Sequence, residues 1–161
     1  MTVRIAKYAD IPSLCALMRD GHARSKYRDV GGIDTAEARQ IFMGAIQRMA
    51  SSGGGACCVF VAEGEEGLNG VFVGVLERVY AVGDKLSATD LFFYTAPGAN
   101  PWAASTMLEG FEKWASANPK VIEIRLGVTD VIDANPETLA GIYEKRGYKR
   151  SGIILDKRMQ R

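Results

Sequence analysis

Residues 93–114 read FYTAPGANPWAASTMLEGFEKW. Four features stand in line: an apolar, aromatic strand end, a short Pro-Gly-Ala-Asn loop, the Asn100–Pro101 pair, and an amphipathic helix. Asn followed by Pro is a strong helix start, because Asn caps the first turn and Pro tolerates its missing N–H there. A strand that runs through a short loop into a helix N-terminus is a common anion cradle, since free backbone N–H groups and the helix dipole both favour negative charge. Yet this loop holds no Lys or Arg and a single glycine, Gly98. The stretch predicts the scaffold of a phosphate site without its usual fittings.

Working outward, the segments before it read as strands separated by short turns. ACCVFVAE, VFVGVLERVYAV and ATDLFFYT are joined by GEEGLNG and VGDK. Turns that short cannot cross a sheet in parallel, so an antiparallel meander is expected. After the helix, VIEIRLGVT reads as a strand. Asn135–Pro136 opens another helix, which Gly147 stops in a left-handed C-cap. YKRSGIILDKRM reads as one or two strands. At the start, TVRIA alternates as a strand. Asp10 is expected to cap a helix from Ile11, and Gly21 to Ile33 to form a loop or broken helix. Asp34 and Glu37 mark a second helix with Ile41, Phe42, Ala45, Ile46 and Met49 on one face, ended by SSGGG at 51–55. The order β-α-α-β-β-β-α-β-α-β is that of a mixed α+β domain spanning 1–161.

The 161 residues suit one sizeable core, and the net charge of +1 disfavours broad capture of nucleic acid or an anionic membrane. The densest basic cluster, Lys145, Arg146, Lys149 and Arg150, reads as solvated charge at a helix end. Three cysteines (Cys15, Cys57, Cys58) and one histidine, His22, form no metal-ligand spacing or disulfide framework. No metal, no signal peptide and a reducing, cytoplasmic setting are expected.

Three stretches resemble the GCN5-related N-acetyltransferase superfamily. TDLFFYT with APGANPWAASTMLEGFEKWA looks like its fourth strand, pyrophosphate loop and third helix. KVIEIRLGVT looks like its fifth strand. NPETLAGIYEKRGYKRSG is similar to its closing helix and strand, through Tyr143, Glu144, Lys145, Arg146, Gly147 and Tyr148. The resemblance implies a single-domain acyl-CoA N-acyltransferase fold: a mixed, mostly antiparallel sheet flanked by helices, with the fourth and fifth strands splayed. It implies acetyl-CoA as co-substrate, a small-molecule or peptide amine as acceptor, and direct transfer in a ternary complex. Dimers are common in such a family. The cofactor would run along Phe93, Tyr94 and Thr95, with its pyrophosphate at Trp102, Ala103, Ala104, Ser105 and Thr106. Asn135 resembles a cofactor-contacting Asn, and it also reads as a plain helix cap. Tyr143 matches the position of a general acid that protonates the departing thiolate; its alternative is a packing residue. Glu77, and after it Asp90, are candidates for the base. Tyr80, Tyr27 and His22 are candidates for the acceptor pocket.

The loop departs from the family pattern. The usual Gln or Arg and central glycine fall at Ala99 and Trp102, and only Ala104 fits. Trp102 would need its side chain turned away, and an Asn100 cap would consume one N–H. A second reading follows from these departures: a binding module of the same fold without turnover.

Overall fold

The computed structural model describes residues 2–50, 55–132 and 135–159. Its elements, in chain order, are β1 (Thr2–Ile5), α1 (Ile11–Ala23), α2 (Thr35–Ala50), β2 (Cys57–Gly64), β3 (Gly67–Arg78), β4 (Leu86–Thr95), α3 (Pro101–Ser116), β5 (Val121–Arg125) and α4 (Pro136–Lys145), with short 3₁₀ turns at Tyr8–Asp10 and Val79–Ala81. The strands form one sheet in the order β1-β2-β3-β4-β5. The pairs β1–β2, β2–β3 and β3–β4 are antiparallel, and β4–β5 is parallel. The short turns made the first pairing mode predictable. The parallel pair follows from α3, which carries the chain back across the sheet between β4 and β5.

Both faces of the central strands are covered, which is why CCVFVA is a nearly unbroken apolar run. Successive side chains of a strand alternate. Cys57, Val59 and Val61 therefore join Val71, Val73, Leu14, Phe42 and Ile46 under α1 and α2. Cys58 and Ala62 join Phe72, Ala88, Met107, Leu108 and Phe111 under α3, together with Tyr143 of α4. The three thiols are buried and unbridged.

A register shift at Val73/Gly74 sets Phe92 opposite Val73 and Asp90 opposite Gly74, so Leu91 is the extra residue of a β-bulge. Gly74 is required there. A Cβ at this position would lie 2.6 Å from the Phe111 ring and 2.7 Å from the Cys58 sulfur.

Four local expectations change. Asp10 does not cap α1 with its side chain. Its carboxylate instead accepts from the Lys7 N–H at 2.7 Å and pairs with Arg4 at 2.7 Å; these competing donors leave it no role in α1. Helix α1 continues through Gly21 to Ala23, with the buried Gly21 facing the Tyr94 ring. Strand β5 ends at Arg125, short of LGVT. No strand is formed by residues 149–159. Asp34 does cap α2, accepting from Ala36 and Glu37 N–H groups at 2.9 and 3.0 Å. Gly147 has the expected left-handed φ of 94°. Residues 51–54 of the SSGGG breaker lie outside the described residues.

Candidate active site

The parallel ladder is short. Strand β4 meets β5 only from Leu86 to Thr89, opposite Val121 to Arg125. Beyond Thr89, β4 continues to Thr95 with β3 on one side and, among the described residues, no strand on the other. The splay begins at the Leu91 bulge, as expected of a device that bends one strand and ends its pairing. The stretch from Asp90 to Thr95 thereby has no strand neighbour on its β5 side among the described residues, and extended backbone in that position seeks a strand-like partner. Phe93 and Tyr94 send their side chains to opposite faces. Phe93 stacks on Phe72, with ring centroids 4.8 Å apart. Tyr94 donates its hydroxyl to Asp20 of α1; burial and this partner push its phenol up to about 12.

Two titratable groups meet at the splay. Asp90 Oδ1 accepts the Gly127 N–H at 2.8 Å, bridging the gap just past the last β4–β5 pair. Burial holds its carboxyl above the ordinary value, against the lowering pull of that N–H. Tyr143, on α4, is only 5 % exposed. Burial raises its phenol first, and the Asp90 charge raises it further. The pair is thus close enough to interact, and Tyr143 stays protonated at neutral pH. Its ring packs against Tyr148, with centroids 5.7 Å apart. Its hydroxyl makes no hydrogen bond to any described residue.

Past the end of β4, α3 begins as the sequence predicted. The Asn100 side chain accepts the Trp102 N–H at 2.9 Å, and the Asn100 carbonyl accepts that of Ala103 at 2.9 Å. Pro101 has no N–H to offer. Trp102 turns its side chain outward, 72 % exposed. Both hydroxyls of the next turn are engaged: Ser105 accepts from Arg146 at 3.2 Å, and Thr106 donates to the Trp102 carbonyl at 2.8 Å. Ala104 is half-buried behind them. Arg146, from the end of α4, also pairs with Glu112 at 2.7 Å. A cation therefore stands beside α3 even though the loop itself has none.

The remaining candidates are dispersed. Glu77 lies on the face of the sheet opposite Tyr143, because its neighbour Leu76 packs under α3. There it pairs with Arg125 at 3.2 Å. Asn135 stands at the α4 N-cap position, and its side chain makes no capping bond. Tyr80 sits in the β3–β4 turn with φ of 60°, at the closed end of the β4–β5 ladder. Tyr27 and His22 lie at the other end, in and before the α1–α2 loop. The Lys26 N–H there donates to the Val131 carbonyl at 2.8 Å. Sequence reading ranked Asp90 below Glu77 and missed its Gly127 bridge. The available signal was a carboxylate set inside the apolar run LSATDLFFYT. No cluster of metal-ligand residues occurs among the described residues.

Solved structures match this arrangement over nearly its full length. A protein from Clostridium acetobutylicum, named a predicted acetyltransferase and solved with acetyl-CoA, superposes with a TM-score of 0.68 at 16% identity, over 98% of this chain and 95% of its own. An aminoglycoside acetyltransferase from an uncultured soil metagenomic sample gives 0.65 at 12% identity, over 99% and 98%. The chain has the acetyltransferase fold. The same fold also occurs in a Bacillus halodurans protein named as a transcriptional regulator, with a TM-score of 0.68 at 17% identity over 98% and 99%. No family model and no curated protein sequence matches the chain. Among the described residues, no helix is long and apolar enough to cross a membrane.

Proposed function

We propose that the protein is an acetyl-CoA-dependent N-acetyltransferase acting on a primary amine by direct transfer. The observation that carries this reading is the open β4 edge from Asp90 to Thr95, with the free Tyr143 hydroxyl beside it. Bound acetyl-CoA would supply an activated thioester. The backbone of Phe93, Tyr94 and Thr95 pairs with its extended arm, and N–H groups there steady the carbonyl oxygen as charge develops. Asp90, in place of Glu77, takes a proton from the acceptor ammonium, directly or through one water. Its raised pKa brings it closer to the working pH, as a base requires. Tyr143 gives its proton to the sulfur as the bond to the acetyl carbon breaks. Asn135 holds the arm from the α4 side. Ala104 and the Ser105 and Thr106 hydroxyls, with Arg146 beside them, receive the pyrophosphate, while the Trp102 and Ala103 amides must first leave Asn100.

That last condition favours a second reading, a binding module of the same fold that turns nothing over. Thermal unfolding with acetyl-CoA and CoA separates the two. Occupancy at a hundred times the dissociation constant adds about 2.7 kcal/mol, which at this size is a rise of about 5 to 10 °C. A saturable rise of that order, followed by CoA release with an amine panel, supports the enzyme. No shift at millimolar cofactor leaves the binding module.

A further inference from the structure

Three segments far apart in the chain meet on Lys26, in the connection between α1 and α2. Its N–H donates to the Val131 carbonyl at 2.8 Å. Its ammonium pairs with Asp130 at 2.6 Å and with Asp156 at 3.2 Å. Its carbonyl accepts from Arg158 at 3.2 Å. The turn that presents Lys26 is fixed from within: buried Ser25 donates its hydroxyl to the His22 carbonyl and accepts the Tyr27 N–H. Residues 127–131 form no helix or strand, yet both ends of the segment are tied. Gly127 is held to Asp90 of β4 at 2.8 Å, and Asp130 and Val131 are held to Lys26. The segment is a strap between the splay point and the α1–α2 connection.

The two fastenings differ in kind. At one end a half-buried carboxylate accepts a backbone N–H, a charge-assisted bond of the stronger sort. At the other, the side chains of Asp130 and Asp156 are 57 % and 71 % exposed, and ion pairs so exposed are weak and screened by salt. The strap therefore opens at Lys26 and hinges at Gly127, where the backbone is free to turn. The side on which it opens decides what it admits. Helices α1 and α2 cover one face of the sheet, and α3 with Tyr143 of α4 covers the other. The start of α3 and Arg146 beside it, where the cofactor pyrophosphate is proposed to sit, belong to the second face. What passes at the Lys26 end is then the acceptor amine.

We propose that Lys26 is the clasp of this strap, and that the strap swings about Gly127 to let the acceptor amine in. The gating rests on the acetyltransferase reading; the clasp does not. Amide exchange followed residue by residue tests it, because the Lys26 and Gly127 N–H groups report the two ends separately. In Lys26→Met the amide of residue 26 is expected to exchange about three- to tenfold faster than in the wild type, as loss of exposed ion pairs allows. Asp130→Asn combined with Asp156→Asn should do the same without touching residue 26. The Gly127 amide is expected to keep its rate, and Lys26→Arg to restore the slow one. Salt at about 1 M should bring the wild type to the rate of Lys26→Met, since screening then acts within about 3 Å. A closed strap lowers apparent acceptor affinity by the fraction open. With the fastest amine of the panel above, kcat/KM of Lys26→Met should therefore rise by the same factor, with the acetyl-CoA dissociation constant unmoved. An unchanged amide at residue 26, or equal acceleration at Gly127, overturns the strap. A faster amide with unchanged kcat/KM overturns the gating. A wild type that turns over no amine defeats the acetyltransferase reading and the gating with it, while the amide rates still decide the clasp.

Discussion

Strand β4 and the start of α3 lie a short loop apart and treat their backbone in opposite ways. From Asp90 to Thr95, the β5 side of β4 is left open. At α3, Asn100 has already taken the amides of Trp102 and Ala103. Pairing along an extended strand asks nothing of particular side chains, so topology and one bulge suffice to keep it. Anion binding at a helix start depends on N–H groups that no side chain has claimed. One half of the candidate site therefore keeps an open strand edge. The other half has to exchange an internal cap for a ligand.

The largest effect is expected where the open half meets its proton donor. Tyr143→Phe should lower the chemical step about 10²- to 10³-fold, the range for loss of a general acid, and leave CoA affinity unchanged. Single-turnover kinetics beside a CoA titration reads both. The hydroxyl has no hydrogen-bond partner among the described residues, so the same variant should lose almost no stability. A large stability loss with normal turnover would return Tyr143 to a packing role.

Gly74→Ala attacks the bulge that opens the strand. The added methyl would press on the fully buried Phe111 ring and on Cys58, neither of which has room to retreat. Overpacking of this kind costs about 1–3 kcal/mol, or about 3 to 10 °C in melting temperature for a chain of this length. Calorimetry with unchanged melting would show that the sheet absorbs the methyl and that the bulge does not depend on Gly74.

Asn100→Ala sharpens the contrast from the closed half. Loss of the cap should cost about 1 kcal/mol in the absence of ligand. It also frees the Trp102 N–H, so the rise in melting temperature on adding CoA should be larger than in the wild type. A smaller rise would mean that Asn100 itself contacts the ligand.

How much of this was legible depends on the range of the forces involved. The N-caps at Asp34 and Asn100, the left-handed Gly147 and the outward Trp102 are decided by neighbours within a turn, and the sequence states them openly. The meander is legible for the same reason, since short turns leave one pairing mode. Asp10 was misread because its competitors include Arg4 on a neighbouring strand. The surroundings of Asp90 were not legible because they come from Gly127 and Tyr143, far away in the chain. Nothing local marks Leu91 as an extra residue; the bulge is a matter of register between two strands. The tail was expected to be a strand from its composition, but a strand also needs a paired edge, and residues 149–159 form none.

The smallest effect tests whether Asp90 belongs to the open half as a strained, functional group. Burial raises its folded-state pKa above the ordinary value of about 3.9. The folded protein therefore prefers the neutral carboxyl. The stability contributed by that form is fully present below the ordinary value and is lost as pH rises through the raised one. Asp90→Asn stays neutral throughout and keeps an acceptor oxygen for the Gly127 N–H. The variant should thus melt higher than the wild type at neutral pH, with the margin shrinking as both are taken down to about pH 4. Catalysis should fall at the same time, giving a more stable and less active protein. A margin that does not change with pH would mean that Asp90 is ionised at no cost, and a carboxylate so well solvated would have no reason to sit at the splay as a base.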